Sequence, residues 1–284
     1  MRLGIVQDEP TAGNMEANLV CMETYARQAG KNGLGVDLLV FPELFVTGYV
    51  PALWETYPTP ADELAWRERL IAVARTEGIG IVYGHPSWGG QNGEPRTMTP
   101  AAPAGEGHAL PLYNAASLVT GDGWVGTYAK VHLFGREKET FTAGADFPVW
   151  ETPFGRISVQ ICYDLEFPEA ARVAALNGAE LLVYPSNNMI PYARHHEYFT
   201  MARAMENQVF VATVNRTGRE SDIVFCGGSC VAHPDGTWLI QPVFQAGLYV
   251  CDVNLDDRQR LDEAVNYLVH RRPETYGALV PSVP

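Results

Sequence analysis

The 284-residue sequence predicts an α/β fold in which buried strands alternate with amphipathic helices. Short apolar runs such as GVDLLVFPE at residues 35–43 lack the alternation of a half-exposed strand, which indicates strands covered on both faces. Between these runs lie longer segments whose apolar residues recur at helical spacing. The length allows one large domain of this class or two smaller ones.

The first half of the chain begins with a strand and continues as alternating helices and strands. The predicted elements are a strand at 2–7, a helix at 14–30, a strand at 35–43, a helix at 61–78, a strand at 79–84 and a hairpin at 112–134. The first helix ends at a glycine, and the hairpin turns at Gly121-Asp122-Gly123, a sequence that favours tight turns. The Gly- and Pro-rich residues 84–111 are predicted to form a surface loop or a loose hairpin.

The second half repeats this alternation and then ends in strands. The predicted elements are a strand at 155–164, a helix at 168–180, a strand at 181–188, a helix at 195–208, and strands at 209–216, 227–242 and 247–254. One strand of each half has a closely similar sequence, GVDLLVFP at 35–42 and GAELLVYP at 178–185. Either buried parallel strands are simply alike, or the two halves are related by an approximate two-fold axis. In the second case an active site is expected where Glu43 and Ser186 follow the strand-ending prolines.

The composition is that of a soluble protein with a large core, because 46% of the residues are apolar and 19% are charged. A net charge of −13 argues against nucleic acids and anionic membrane surfaces as partners, since both attract proteins rich in Lys and Arg. We find no membrane-spanning apolar run and no signal peptide in MRLGIVQDEP, and we expect a cytoplasmic protein. Five scattered cysteines indicate reduced thiols rather than a disulfide framework.

Cys162 is the first of three candidates for chemistry. It ends an apolar strand where a helix is predicted to begin, and a helix N-terminus favours a thiolate and a developing oxyanion. Asp164, Glu166 and Glu169 follow closely, and negative charge raises a thiol pKa unless these side chains cap the helix and point away from the sulfur. A buried structural cysteine and a nucleophile are both compatible with this position.

The other two candidates are Lys130 in TYAKVHLF and Glu43 in FPELFVTGY. A lysine in an apolar segment is either paired with acidic groups or an edge-strand residue with a solvated ammonium. A carboxylate directly after a buried strand either caps the next turn or faces a cleft. Neither residue identifies an active site by itself.

Taken in order along the chain, FPELFVTGY, YAKVHLF and QICYDLEFPEAAR resemble the Glu-Lys-Cys motifs of the nitrilase superfamily of carbon–nitrogen hydrolases. The resemblance extends over nearly the whole chain, through EKETFTAGAD, GAELLVYPSN, RAMENQVFVATVNRTG and FCGGSCVAHPDG. It implies a four-layer αββα sandwich formed by residues 1–260, stacked as αββα–αββα in a homodimer. Residues 261–284 have no regular period and are expected to form a tail at the dimer interface.

The resemblance also implies a mechanism for amide hydrolysis. Cys162 would attack the carbonyl carbon, Glu43 would carry the proton, and Lys130 and the Tyr163 N–H would bind the oxyanion. Water would then hydrolyse the thioester, and neither a metal nor an organic cofactor is needed.

A second glutamate of the family pattern lies seven residues before a glycine. Counting back from Gly144 identifies Glu137, and Glu139 is the rival assignment. The second glutamate is expected to lie near Lys130 and to position the substrate amide.

The substrate pocket is expected at the strand ends and in the loops after them, at Tyr49, Asn187, Met189, Tyr192 and His195. Apolar and aromatic groups with a few polar ones favour a small, mostly neutral acyl group. We therefore predict hydrolysis of a small aliphatic amide to a carboxylate and ammonia.

Alternative activities follow from the same resemblance. Tyr163-Asp164 after the cysteine resembles amidase-like rather than nitrile-cleaving members, and relatives reading CYDLRFPE include ω-amidases, although Glu166 stands where they carry arginine. An N-carbamoyl amine or amino acid hydrolase is a further alternative, but no paired arginines form a carboxylate clamp, and Arg194 reads as a surface residue. A nitrilase and a non-catalytic binding module are weaker alternatives.

Two other enzyme classes fit the sequence poorly. A papain-like protease would need a different cysteine context from QICYD. The adjacent HHE at residues 195–197 lacks a second pair at i, i+4, so we predict no zinc site.

Overall fold

The structure is a computed structural model that describes residues 1–51, 59–89, 110–260 and 263–280. The strands in these residues are β1 Arg2–Gln7, β2 Leu38–Val40, β3 Gly80–Trp88, β4 Leu112–Thr120, β5 Gly123–Ala129, β6 Trp150–Thr152, β7 Gly155–Val159, β8 Leu181–Pro185, β9 Phe210–Val214, β10 Thr217–Glu220, β11 Ile223–Cys226, β12 Ser229–Ala232, β13 Trp238–Val243 and β14 Gly247–Asp252. The helices are α1 Met15–Ala29, α2 Pro60–Glu77, α3 Glu137–Thr140, α4 Pro168–Leu176 and α5 Ala193–Asn207. Short 3₁₀ helices lie at Cys162–Glu166, Leu255–Arg260, Glu263–Val265, Pro273–Thr275 and Gly277–Leu279.

The larger sheets have the orders β14-β1-β2-β3-β4-β5 and β13-β12-β9-β8-β7-β6. In the first, β1, β2 and β3 are parallel, and β14, β4 and β5 continue the sheet through antiparallel pairings. In the second, β7, β8 and β9 are parallel, and β6, β12 and β13 are added through antiparallel pairings. The similar sequences GVDLLVFP and GAELLVYP supply β2 and β8, the central strand of each parallel set. This shared topology supports the interpretation of two related halves.

The sheets pack face to face, with helices on their outer faces. Leu3 and Ile5 of β1 belong to a core between the sheets, together with residues such as Val159 and Val183 of the other sheet. Val6 of the same strand lies in a second core with α1 and α2, and a third core joins the other sheet to α4 and α5. The alternation of side chains along a strand therefore gives each sheet two apolar faces. The four-layer αββα sandwich predicted from the resemblance is confirmed.

Helix α2 shows how local sequence sets these elements. The Thr59 side chain accepts a hydrogen bond from the Asp62 N–H, and the Asp62 side chain accepts one from the Thr59 N–H, which forms a capping box. Pro60 opens the helix, and Gly78 ends it in the left-handed conformation. No helix in the described ranges is long and apolar enough to cross a membrane.

Several strands differ from the sequence prediction. The strands predicted at 35–43 and 155–164 end at Val40 and Val159, and beyond one further backbone hydrogen bond each, from Phe41 and Gln160, the chain continues into a turn and a 3₁₀ helix. Strand β3 reaches Trp88, so residues 84–88 are not a loop, and residues 90–109 of that predicted loop lie outside the described residues. The strand predicted at 227–242 is two strands, β12 and β13, and β6, β10 and β11 were not predicted.

Candidate active site

The three candidates for chemistry lie just beyond strand ends of the two facing sheets. Glu43 follows β2 and Lys130 follows β5 in one sheet, whereas Cys162 follows β7 in the other. The Asn187 side chain, after β8, donates a 2.9 Å hydrogen bond to the Glu43 carbonyl and so links the two sheets here. The charges of Glu43 and Lys130 both act on the Cys162 thiol. The fold therefore gathers all three candidates.

Lys130 is fully buried between two carboxylates. Its Nζ lies 2.7 Å from Glu43 Oε1 and 2.9 Å from both carboxylate oxygens of Glu137. Burial acts to lower the pKa of this ammonium, but Glu137 and Glu43 outweigh it and raise the pKa above its ordinary value. The lysine is thus paired with acidic groups, and the edge-strand alternative is wrong.

Glu43 keeps one carboxylate oxygen available. Oε1 accepts hydrogen bonds from Lys130 and, at 2.7 Å, from Asn114 Nδ2. Oε2 is buried and has no hydrogen-bond partner in the described part of the chain. Burial raises the pKa of Glu43 in spite of the neighbouring Lys130, which favours proton uptake. An unshared oxygen with enhanced proton affinity is what a general base requires.

Cys162 is held as a thiol rather than a resting thiolate. Burial, followed by the charge of Glu43, raises its pKa well above the ordinary value, although Lys130 and the Asn187 N–H act in the opposite direction. Lys130 does not prevail because two carboxylates already share its charge. The predicted α-helix N-terminus is also absent at this point, since Cys162 opens a 3₁₀ helix and α4 begins at Pro168. Attack by this sulfur therefore requires a base.

The structure separates the two candidates for the second glutamate. Glu137 is buried, and besides Lys130 it accepts hydrogen bonds from the Tyr49 hydroxyl at 2.8 Å and the Phe134 N–H at 3.0 Å. Glu139 is exposed and pairs with Arg136 at 3.3 Å. Glu137 is accordingly the carboxylate beside Lys130.

Asp164 connects the lysine and cysteine segments. Its Oδ2 accepts hydrogen bonds from the Tyr128 hydroxyl at 2.7 Å and the Ile161 N–H at 2.9 Å. Its Oδ1 accepts from the His132 N–H at 2.9 Å and contacts His132 Nδ1 at 2.8 Å. The sequence indicated a capping role for Asp164, but not that it would bind both segments. A fully buried carboxylate with four close partners holds the two segments in register.

Two glycines allow the backbones around the site to approach closely. A Cβ at Gly84 would lie 2.6 Å from Glu43 Cα, and one at Gly144 would lie 2.1 Å from the Ala129 carbonyl oxygen, next to Lys130. The Gly144 N–H also donates a 2.8 Å hydrogen bond to the Lys130 carbonyl. Gly144, whose spacing identified Glu137 in the sequence, thus also holds the backbone at Lys130.

A cavity of about 230 Å³ opens beside Cys162. Its lining includes five residues predicted for the pocket or the oxyanion site: Tyr163, Asn187, Met189, Tyr192 and His195. It also includes four that were not predicted there: Phe134, Glu166, Asn188 and His196. Of these, Glu166 follows the nucleophile motif closely enough for the sequence to have suggested it.

Tyr49 and Arg194 lie elsewhere. Tyr49 is not among the described residues that line the cavity, because its hydroxyl is directed to Glu137. The prediction that Tyr49 lines the pocket is therefore wrong, and Tyr49 contacts the second glutamate instead. Arg194 is exposed, as predicted. In the portion of the chain that the structure describes, no three His, Cys, Asp or Glu side chains gather in a way that could hold a metal ion.

An αββα sandwich with Glu, Lys and Cys side chains gathered at its strand ends defines a class of hydrolases. The model of the carbon–nitrogen hydrolase family matches residues 2–263, and the chain belongs to this family, within the nitrilase superfamily. It is 36% identical to a protein of Pseudomonas protegens described as a hydrolase in the pqqF 5′ region, over 98% of this chain and 92% of that protein. It is 31% identical to an (R)-stereoselective amidase of Pseudomonas sp., over 96% of this chain and 92% of the amidase.

Solved structures of an amidase from Nesterenkonia sp. AN1 are also similar. One, at 30% identity and a TM-score of 0.80, covers 99% of this chain and 100% of its own, and shows acrylamide added to that enzyme's active-site cysteine. Another, with a TM-score of 0.79 over 98% of this chain and 96% of its own, holds butyramide.

Proposed function

We propose that this protein hydrolyses a small aliphatic amide to a carboxylate and ammonia through a thioester on Cys162. The observation that carries the proposal is the pairing of Lys130 with Glu43 and Glu137 beside a cysteine at the cavity. The Nesterenkonia amidase, whose active-site cysteine reacts with acrylamide and whose structure also holds butyramide, supports this assignment by similarity.

The first step is attack by sulfur on the amide carbonyl. Glu43 Oε2, which has no hydrogen-bond partner in the described residues, takes the thiol proton as the carbon–sulfur bond forms. The negative charge that develops on the substrate oxygen is stabilised by the Lys130 ammonium and the Tyr163 N–H. One such donor contributes roughly 3 to 4 kcal/mol to transition-state stabilisation.

The second step releases ammonia. Glu43 returns its proton to the leaving nitrogen, so that ammonia rather than an amide anion departs. Asn187 Oδ1 is buried without a hydrogen-bond partner among the described residues, and it can accept a hydrogen bond from the amide N–H₂ of the substrate. Glu43 then deprotonates a water molecule that attacks the thioester carbon; the carbon–sulfur bond breaks, the carboxylate leaves, and the proton returns from Glu43 to the Cys162 sulfur. Glu137 holds Lys130 in place, and Tyr49 in turn orients Glu137.

The alternatives differ in the group that the substrate carries. An ω-amidase or an N-carbamoyl amino acid hydrolase must bind a substrate carboxylate, yet no lysine or arginine lines the cavity in the described ranges. The small volume of about 230 Å³ and the aromatic lining favour a short acyl chain. A nitrile remains a weaker candidate than an amide because Tyr163-Asp164 follows the cysteine.

An ammonia-release screen tests the proposal. Short aliphatic amides, dicarboxylate monoamides, N-carbamoyl compounds and matched nitriles would be supplied to the wild-type protein and to Cys162→Ala. We expect ammonia from the aliphatic amides with the wild-type protein alone. Release of ammonia by Cys162→Ala at the wild-type rate would overturn the covalent mechanism, and exclusive turnover of another substrate class would replace the proposed one.

We further propose a cytoplasmic homodimer whose tail lies at the interface. Near its start, the segment of residues 263–280 contacts the residue after α5, where the Gln208 side chain donates to the Val265 carbonyl at 3.2 Å and accepts from the Tyr267 N–H at 3.0 Å. Val269 and Val280 on this segment are 73% and 79% exposed, and such apolar exposure favours a partner. In this proposal residues 261–284 form a tail distinct from the catalytic domain at 1–260.

A further inference from the structure

Glu166 places an acidic group in the wall of the cavity that contains Cys162. The side chain is 24% exposed, and the nearest group able to carry a positive charge is His195, whose Nδ1 lies 3.9 Å from Glu166 Oε2. Arg203 is close by, but its guanidinium bonds to the backbone carbonyls of Leu165 and Glu166 and to the Glu206 side chain. In the described chain, no arginine or lysine thus forms an ion pair with the Glu166 carboxylate.

The charge on Glu166 is poorly compensated by the protein. Partial burial raises its pKa, although His195 and Arg203 act to lower it. A positively charged group brought into the cavity would stabilise the ionised carboxylate in place of the water that burial removed. A negatively charged group would instead increase the electrostatic cost.

The rest of the cavity wall includes a hydrogen-bond acceptor, His196, and aromatic rings. Burial, followed by the charges of Lys130 and His195, lowers the pKa of His196 to about 3, so its ring is neutral and has one acceptor nitrogen. Nδ1 of this ring is buried with no hydrogen-bond partner in the described residues. Phe134 and Tyr192, whose ring centroids are 6.1 Å apart, form an aromatic part of the lining. Such a site suits a short methylene chain that ends in a hydrogen-bond donor.

We propose that Glu166 determines specificity, and that the preferred substrates are short amides whose acyl chain carries a distal ammonium group. This inference rests on the proposed amidase activity and names its substrate class. The amide end lies at Cys162, and the ammonium end pairs with the Glu166 carboxylate. Dicarboxylate monoamides, which place a carboxylate beside Glu166, are poor substrates.

Matched substrates test this inference directly. 5-Aminopentanamide, hexanamide and the monoamide of adipic acid share four methylene groups and differ in the distal ammonium, methyl or carboxylate. Homologous sets with two and three methylenes extend the comparison to shorter acyl chains. At one chain length or more, we expect wild-type kcat/KM for the ammonium substrate to exceed that for the methyl substrate about tenfold, which is the effect of one well-placed ion pair. The carboxylate substrate should have the lowest kcat/KM.

Variants identify the residue responsible. Glu166→Gln is expected to remove the tenfold ammonium-to-methyl ratio, and Glu166→Arg to reverse the order towards the carboxylate. Glu169→Gln is the matched control, because Glu169 is exposed on the first turn of α4 and is not among the described residues that line this cavity. Equal wild-type kcat/KM values for the three substrates, or an unchanged ratio in folded Glu166→Gln, would overturn the inference. Because the wild-type ratios stand on their own, a misfolded variant does not remove the test.

Binding measurements separate this inference from the proposed function. Calorimetry of Cys162→Ala with the same amides reports charge preference without turnover. Tighter binding of the ammonium compound without ammonia release by the wild-type protein would contradict the amidase proposal and leave the charge preference intact. Ammonia release from all three amides without any charge preference would support the amidase proposal and contradict the role of Glu166.

Discussion

His132 Nδ1 lies 2.8 Å from Asp164 Oδ1, and this contact joins the segment that carries Lys130 to the segment that carries Cys162. The His132 ring also stacks on Phe167, with ring centroids 3.7 Å apart and an angle of 6° between the planes. The two segments come from different sheets, so a polar contact between them fixes the position of the proposed nucleophile relative to the proposed oxyanion donor.

The first prediction concerns this contact. Asp164→Asn replaces a carboxylate that has four close hydrogen-bonding partners, two on each oxygen. The amide oxygen of asparagine can still accept, but its NH₂ cannot accept from the donors on its side. We expect a loss of about 2 to 4 kcal/mol in the free energy of unfolding, since buried hydrogen bonds to charged groups contribute about 1.5 to 3 kcal/mol each. Denaturant unfolding measures this loss, and Asp122→Asn in the β4–β5 turn is the exposed control.

A pair of substitutions at His132 tests positioning apart from stability. His132→Asn retains a side-chain donor for Asp164, whereas His132→Leu does not. We expect His132→Leu to lower kcat more than it changes KM, and His132→Asn to recover part of the loss. Equal kcat in the two variants would show that the side-chain contact does not position the site.

The second prediction concerns the nucleophile. Cys162→Ala should abolish turnover and leave the thermal transition nearly unchanged, because the cysteine lines a cavity and its substitution removes one atom. The four other cysteines, Cys21, Cys226, Cys230 and Cys251, supply controls: each changed to Ala or Ser should retain substantial activity. Loss of activity from one of these, with activity intact in Cys162→Ala, would move the nucleophile elsewhere.

The third prediction separates the glutamates. Glu43→Gln cannot take up and return a proton, so hydrolysis should stop almost wholly. Glu137→Gln keeps the side-chain shape but unbalances Lys130, and misalignment of this kind costs about a hundredfold in rate. Steady-state kinetics beside mass spectrometry should show Glu137→Gln forming a Cys162 adduct with a reactive electrophile while hydrolysing amides poorly.

The exposed Glu139 is the control for that experiment. Glu139→Gln loses only a surface contact with Arg136 and should hydrolyse amides normally. Normal activity in Glu137→Gln together with loss of activity in Glu139→Gln would mean that the second carboxylate had been assigned two residues too early.

The fourth prediction is a pH dependence. Burial raises the pKa of Glu43 above the ordinary 4.5, and only the ionised carboxylate can accept the Cys162 proton. The acidic limb of kcat/KM should therefore have its midpoint above pH 4.5, with activity falling as the pH decreases through the Glu43 pKa. Circular dichroism at each pH would verify that the protein remains folded. Constant kcat/KM down to pH 4.5 in the folded protein would exclude Glu43 as the base.

The fifth prediction concerns assembly. Removal of the residues after Arg272 deletes the exposed apolar Leu279 and Val280 and should weaken the homodimer. Light scattering over a range of protein concentrations measures the change, with ammonia release as the activity readout. An active wild-type monomer that is unaffected by the truncation would contradict both the dimer and the role of the tail.

Apolar patterning alone predicted the fold class and the order of the main helices and strands, whereas the roles of Glu43, Lys130 and Cys162 were predicted from the resemblance of three short motifs to one family. Apolar periodicity reports local burial, and the ends of buried strands locate the positions where polar side chains can face a cleft. The similar sequences of β2 and β8 left two interpretations open, and the shared sheet topology supports the one with two related halves. Burial and strand ends are local properties, so the order of residues along the chain is enough to predict them.

The way in which the candidate residues act on one another follows from three-dimensional packing. Lys130 and Glu43 are 87 residues apart yet form a 2.7 Å contact. Burial of Cys162, followed by the charge of Glu43, raises the pKa of the thiol well above its ordinary value, although Lys130 acts to lower it. Burial also decided between Glu137 and Glu139, and neighbouring segments turned Tyr49 towards Glu137 and Glu166 into the cavity wall. Electrostatic energies depend on distance and desolvation, and both are set by contacts between segments that the sequence does not bring together.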